Sequence, residues 1–392
     1  MANAYTDTSA IGGLVKTAYD RYVEFALRAQ PMIRAVADKK PAQQAMPGSS
    51  VVFSLYNDLA AATSTLTETT DPDAVAISDV DTVSVTLNEY GNAALVTRKL
   101  QLFSLSDVDP AVADMIAYNM ADSLDTVAQN TLRQGTNVLY GGTRTSTATI
   151  TASDTLDSAD IRKAVAKLRS NKAVPRAGSL YWVGIHPEVS HDLRAESGSV
   201  GWRDTHAHTD ASLGNLFAGT IGTYEGAFFV ENPRMYSAKD GADQTALATT
   251  TVTVAGTSAG FTFGVASSAV IATRAEVGDK VSGTGIASGA KITAITTSGS
   301  TTTFTVDTAN TAAVTVSTVV TVTPVTRVFR TILCGKQALA EAVAQEPNVI
   351  IGPITDKLMR FRPIGWYGVL GWNRYREEAL YRIETGSSIA AL

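Results

Sequence analysis

Two strand signals separated by a polar stretch open the patterned part of the chain. Val51-Val52-Phe53-Ser54-Leu55-Tyr56 is β-branched and aromatic, and Val83, Val85 and Leu87 alternate with Thr82, Ser84, Thr86 and Asn88. Alternation with a period of two marks a half-exposed strand. Between the two runs, Ser64 to Asp81 is rich in Thr, Asp and Ser and contains Pro72, which predicts a mobile tip. An isolated two-stranded hairpin is marginal in water, so this arm is expected to need a partner surface. Ahead of it, residues 11–38 have a mostly helical pattern with imperfect apolar spacing (Leu14, Ala18, Val23, Phe25, Leu27), which predicts an arm-like segment. Pro41 and Pro47-Gly48 break it.

The strongest helical pattern follows. Asp109 suits an N-cap and Pro110 the first helical position, and Val112, Ile116, Met120, Leu124 and Val127 recur as one apolar stripe. Arg133 falls in the expected last turn with Gly135 just past it. About 25 residues at ~1.5 Å each give a rod of roughly 38 Å, long enough to organise a domain. A second helix is expected over Ser158–Asn171, with Ile161, Val165 and Leu168 on one face and basic residues on the other. Leu180–Ile185 reads as a buried strand ended by His186-Pro187, followed by a short helix at Glu188–Glu196. Ala227–Val230 is another strand, closed by Asn232-Pro233. Strands and helices mixed in this way predict an α+β domain.

Near Ala238 the pattern changes. From Thr245 to Thr323 more than a third of the residues are Ser or Thr, charges are sparse, and Thr-Val alternation is punctuated by Gly-rich turns. A small β-sandwich or β-roll inserted over 237–325 is expected, since the mixed pattern returns at Arg327. The closing segment carries Trp366 and Trp372, and Ile364–Trp372 and Ala379–Ile383 look like two strands of a shared sheet.

Composition narrows the function. The chain has 392 residues and a net charge of −5, and no dense Lys/Arg cluster, so gripping phosphates is not its main task. Contact with nucleic acid is expected to be weak and blind to sequence. The single Cys334 lies in an apolar run, which excludes an internal disulfide and predicts a buried inert thiol. The N-terminal residues carry neither a basic nor an apolar signal region, and no run approaches the ~18 apolar residues of a membrane span, so no membrane partner is expected.

Candidate chemistry is thin. Gly256-x-Ser258-x-Gly260 matches a nucleophile pattern, but Phe261-Thr262-Phe263 continues as strand where a helix is required. Gly283-x-Gly285 with Gly289 is followed by a strand-like run, which favours a turn over a dinucleotide loop. His206-x-His208, with His186 and His191, has no cysteine beside it and lies in a polar loop, so zinc is disfavoured. Asp71-x-Asp73, Asp79-x-Asp81 and Asp107-x-Asp109 lack full calcium-loop spacing, and helix capping accounts for the last. The reading is of a non-enzyme without cofactor or metal.

Charge along the arm is the remaining signal. Between Ser49 and Val96 there are seven acidic residues and no Lys or Arg. Among them Glu68, Asp71, Asp73, Asp79 and Asp81 are candidates to dock on basic surface of an adjacent molecule. The candidate receptors are Arg98 and Lys99 at the arm's base, Arg360 and Arg362, or Arg374 and Arg376.

The order of elements (short N-terminal segment, acidic strand arm, Leu95-Val96-Thr97-Arg98-Lys99-Leu100, Asp109-Pro110 helix) resembles the major capsid proteins of tailed double-stranded DNA bacteriophages, whose fold is shared with herpesvirus capsids. The C-terminal run Gly352-Pro353-Ile354-Thr355-Asp356-Lys357-Leu358-Met359-Arg360-Phe361-Arg362-Pro363 and its aromatic strands extend the resemblance, which covers roughly 1–236 and 326–392. It implies an α+β tailed-phage capsid fold: N-terminal arm 1–48, extended β loop 49–100, peripheral spine-helix domain 101–177 with 345–392, and axial domain 178–236 with 326–344. The 237–325 insertion looks like the decorating domains some of these shells carry. The resemblance implies a structural protein that closes with itself as pentamers and hexamers around packaged DNA, made in the host bacterial cytoplasm and resident in the virion. It also implies a portal and, because the chain opens on the arm, a separate scaffolding protein; a decoration protein is a further candidate partner. The alternative is a tail or surface adhesin-like structural protein, which explains the Thr-rich module but leaves the capped helix and acidic arm without a role; a hydrolase built on Ser258 ranks third.

Overall fold

The computed structural model describes residues 31–41, 49–55, 59, 61–63, 65–66, 68–69, 81–103, 108–196, 220–353, 358 and 360–389. Its elements begin with β1 (Asp38–Pro41), β2 (Ser50–Leu55), β3 (Asp81–Thr86), β4 (Asn88–Thr97), α1 (Arg98–Phe103) and α2 (Val108–Leu132). Next come β5 (Val138–Tyr140), α3 (Ser158–Ser170), β6 (Tyr181–Ile185), α4 (Pro187–Ala195), β7 (Thr220–Tyr224), β8 (Ala227–Glu231) and β9 (Ser237–Asp243). The Thr-rich region supplies β10 (Thr250–Val254), β11 (Thr262–Ala266), α5 (Val270–Arg274), β12 (Lys280–Gly283), β13 (Ile292–Ser298), β14 (Thr301–Val306) and β15 (Val319–Thr323). The chain closes with β16 (Val325–Cys334), β17 (Leu339–Ile351), β18 (Phe361–Arg374) and β19 (Leu380–Thr385). These elements form two compact units, one of residues 1–31, 39–126 and 341–372, the other of 32–38, 127–340 and 373–392.

The first unit is built on a four-stranded sheet in the order β1-β17-β18-β4. β4 and β18 run antiparallel from Phe361 opposite Thr97 to Leu370 opposite Asn88. β18 buries Ile364, Trp366, Gly368 and Leu370 on one face, as the period of two requires. The arm's two expected strands pair as a hairpin, β2 with β3, placing Val51 opposite Val85 and Phe53 opposite Val83. Its root has more core than its composition suggests, because Phe53 and Val85 are both buried. Gly371 makes this possible: a Cβ there would sit 2.0 Å from the Thr86 carbonyl, so only glycine lets β18 pass so close to β3. The arm also ends earlier than expected, since 88–97 is a sheet strand and 98–103 a helix. The expected helix over 11–38 lies mostly outside the described residues, and its last part is a 3-10 turn at Ile33–Val36 leading into β1.

The long helix α2 starts at Val108, one residue before the expected cap; the Asp109 side chain lies outside the described ones. Ile116, Leu124, Ala128 and Leu132 are its buried apolar positions, repeating in steps of four. Within the first unit, Asn119 Oδ1 accepts from the buried Trp366 indole Nε1 at 3.0 Å and from Asn92 Nδ2 at 3.2 Å, seating the helix on β18 and β4 together.

The second unit holds a seven-stranded sheet in the order β5-β19-β16-β6-β8-β7, with β9 also on β16. β6 pairs parallel with β8 and β19 parallel with β5, while the remaining pairs are antiparallel. Helices α3 and α4 cover it, and Ile161, Val165, Leu168, Val189 and Leu193 join Val183, Phe229, Phe329 and Leu333 in one core. β18 and β19 therefore lie in different sheets, contrary to the shared sheet read from their aromatic density: a 3-10 turn at Glu377–Ala379 separates them, and β19 finds its partners in β16 and β5. The proposed split of 101–177 with 345–392 from 178–236 with 326–344 is crossed by this sheet, since α3 and β19 share a core with β6, β8 and β16.

The Thr-rich region forms a six-stranded sheet, β12-β15-β10-β11-β14-β13, with its own core of Val252, Phe263, Val265, Ile271, Phe304, Val320 and Val322. The sheet rolls until its two ends meet: Lys280 bridges Lys291, and Ile292 N donates to Asp279 O at 2.9 Å. The insertion begins after Asp243 and not at 237, because β9 pairs with β16, Val325 opposite Asp243. Asp279 anchors the roll to the larger sheet. It is fully buried and accepts from Lys239 Nζ at 2.6 Å, from Val325 N at 3.1 Å and from Glu276 N at 2.8 Å.

Two substitutions test these anchors. Asn119→Ala leaves the buried Trp366 N–H unmet and is expected to cost about 1–3 kcal/mol, read as a lowered midpoint in chemical denaturation. Asp279→Asn removes the buried one of the two carboxylates on the nearly buried Lys239, leaving Glu276 at 3.0 Å, and is expected to cost about 1–3 kcal/mol. Limited proteolysis should then cut at the junctions near 244 and 324 before the rest of the chain.

Candidate functional site

The β4–β18 ladder ends on a concentration of positive charge in the first unit. Phe361 lies opposite Thr97 and Arg362 opposite Val96, and Arg98 N donates to Arg360 O at 2.8 Å. Arg98 and Lys99 open α1 as β4 ends, so Arg98, Lys99, Arg360 and Arg362 gather in one place, and all four are exposed. The Arg360 guanidinium sits 5.3 Å from the centre of the Phe361 ring, a cation–π contact. Sequence offered Arg98 with Lys99 and Arg360 with Arg362 as separate candidates; the ladder makes them one patch.

Apolar side chains adjoin the charges. Leu102 and Phe103 in α1 are 73% and 78% exposed, and Leu95 and Leu100 are exposed as well. Large apolar side chains exposed close together mark a candidate interaction surface. Sequence did not single out Leu102 and Phe103. The available signal was Leu100-x-Leu102-Phe103 directly after Arg98-Lys99 in a helix only six residues long.

The other candidates fall elsewhere. Glu68 is exposed, as is Asp81 at the start of β3, while Asp71, Asp73 and Asp79 lie outside the described residues. Arg374 and Arg376 belong to the second unit, and Arg374 Nε is engaged by Glu377 Oε2 at 2.8 Å. Arg382 Nη1 donates to the carbonyls of Arg133 and Gly135, satisfying the end of α2 in the place where sequence had Arg133 and Gly135 alone.

Residues with catalytic potential are taken up by structure. Ser258 is exposed in a turn leading to β11, a strand. Gly285 and Gly289 adopt positive φ in turns ahead of β13. His186 caps α4, its Nδ1 accepting from Glu188 N at 3.3 Å, and burial lowers its pKa. His191 contacts Asp192, and His206 and His208 lie outside the described residues. Burial pushes the Cys334 thiol up to about 12, as suits an inert core sulfur. Among the described residues no group of three His, Cys, Asp or Glu is placed to hold a metal, and no helix is long and apolar enough to cross a membrane.

With this geometry in place, comparison with known proteins is decisive. The profile of the phage capsid protein family matches residues 16–388, and the chain belongs to that family. A capsid subunit of cyanophage Pam1 superposes with a TM-score of 0.59 at 12% identity, covering 98% of this chain and 100% of that one. The capsid of Ralstonia phage GP4 gives 0.59 at 12% identity, with 98% of each chain covered. The head of Helicobacter pylori bacteriophage KHP40 gives 0.54 at 12% identity, covering 98% and 99%. Identities this low show a shared fold, and it is that of tailed-phage capsids. No curated protein sequence matches the chain significantly. The protein is a structural component of a phage capsid, and a match across nearly the whole length does not favour the adhesin-like alternative.

In such a protein Asp160 is a cost of the packing. It is buried in the first turn of α3; Lys163 Nζ meets its Oδ1 at 3.1 Å, and its Oδ2 has no hydrogen-bond partner. Burial raises its pKa from 3.8 to about 6, with Asp157 adding to the rise and Lys163 opposing it. The unfolded carboxyl ionises first, so the penalty is full above about pH 6 and is relieved as pH falls toward 3.8. Asp160→Asn is therefore expected to raise the thermal midpoint at pH 8, with the gain shrinking at pH 5.

Proposed function

We propose that copies of this chain close as pentamers and hexamers into an icosahedral shell around phage double-stranded DNA, and that the acidic arm of one copy lies on the basic patch of its neighbour. The gathering of Arg98, Lys99, Arg360 and Arg362 at the end of one ladder carries this reading. The arm supplies carboxylates without a cation, and the patch supplies cations beside exposed Leu100, Leu102 and Phe103. Each exposed ion pair contributes only ~0–1 kcal/mol, so single contacts form and break during assembly. Repetition over many interfaces then holds the closed shell.

The seven-stranded sheet of the second unit is assigned to the capsomer centre, and the sheet of the first unit, with α2, to the shell wall. With a net charge of −5 the chain suits a lining that touches packaged DNA weakly. A separate scaffolding protein and a portal are the partners such a shell requires, with a decoration protein as a further one. Synthesis takes place in the host bacterial cytoplasm. The role is structural, without a catalytic step.

Reversing Arg360 and Arg362 together to Glu tests the docking. The variant is expected to stay folded by circular dichroism while electron microscopy shows few or no closed shells. Normal shells in normal yield would remove the patch from the assembly.

A further inference from the structure

The rolled insert closes its sheet over only part of β13. At Ile292 the two ends of the sheet meet, with Gly278 N donating to Ile292 O at 2.8 Å and Ile292 N to Asp279 O at 2.9 Å. A register shift at Thr293 follows, and from Ala294 to Ser298 β13 is the last strand, paired on one side with β14 and on the other side with nothing among the described residues. Between Lys291 and Asp307 there is no charged residue and no proline. Soluble proteins normally blunt such an edge with charge, proline or a covering loop. Here its backbone donors and acceptors are left presented, and Ile295, packed on the insert's core, stands half covered at the rim.

We propose that this edge pairs with the same edge of a second copy, antiparallel about a local two-fold axis, so that two inserts join into one continuous sheet within the assembled shell. The inference rests on the capsid reading above. A second copy fits because the edge offers neither charge nor pocket with which to select a foreign partner, whereas like strands of Thr, Ile, Ala and Ser meet without repulsion. Ile295 of each copy would be covered by the added strand. Pairing five residues buries far less than the roughly 1,200 Å² of a stable interface, so free subunits should not associate this way. In a shell, the remaining contacts hold copies at an effective concentration near the millimolar range, and the weak edge contact then forms.

Thr296→Cys in the full chain tests this. Cys334 is fully buried and will not react. Shells purified from the variant are treated with a short bismaleimide and run on a denaturing gel beside unassembled chain and beside shells of Thr253→Cys, an exposed position on the inner strand β10. Expected is a covalent dimer as the main band from Thr296→Cys shells only. Shells of that variant that yield monomer alone, or dimers equally from both positions, would overturn the edge pairing and leave the capsid reading standing. Should Thr296→Cys not assemble, Ser298→Cys on the same strand reports the same contact by the same criterion. Absence of shells from the unmodified chain as well would overturn the capsid reading, and the pairing with it.

Discussion

The antiparallel ladder between β4 and β18 is the constraint on which the basic patch depends. It joins residues 88–97 to 361–370 through ten register pairs. Closing so long a loop is entropically costly, though the cost rises only slowly with length. The return is a packed sheet whose buried Trp366 is held by Asn119 of the long helix. Register is strict because one face of β18 is buried, and a slip by one residue would expose that face. The same register fixes where Arg98 and Lys99 stand relative to Arg360 and Arg362, so the basic patch is a consequence of the ladder.

Buried charge does the corresponding work in the second unit. Glu384 is fully buried between Arg330 Nε at 3.1 Å and Arg382 Nε at 2.8 Å, with the Thr147 hydroxyl donating to its other oxygen. Arg382 also satisfies the carbonyls at the end of α2. Asp279 with Lys239 fastens the insert to β9 and β16. Buried ion pairs are weak sources of net stability, but breaking one leaves a costly unpaired charge. They therefore select one arrangement of elements over others. Fixed geometry is what a subunit needs if its outer contacts are individually weak and must all be made together.

That division suits assembly. Contacts inside the subunit are buried and specific in register, whereas the surfaces proposed to meet neighbours are exposed ions, the exposed Leu100, Leu102 and Phe103 of α1, and a bare strand edge. Strong subunit contacts would trap misplaced copies, and weak repeated ones allow correction before closure.

Local pattern was sufficient to predict the arm hairpin, the long helix, α3, α4, β6, β8 and the Thr-rich β module, because periodicity, caps and turn residues act over a few neighbours. It was also sufficient for the acidic bias of the arm and for both halves of the basic patch. It did not disclose that β4 is a sheet strand, since Asn88–Thr97 is mostly exposed and lacks an alternating code. Nor did it disclose that β9 belongs with β16, or that the neighbouring aromatic strands β18 and β19 part into different sheets. Strand partners are chosen by backbone hydrogen bonding and burial across tens to hundreds of residues, which no local pattern encodes. Sequence alone thus determined the elements and the charges they carry, and the tertiary structure decided which strands pair, which charges meet and which edge stays open.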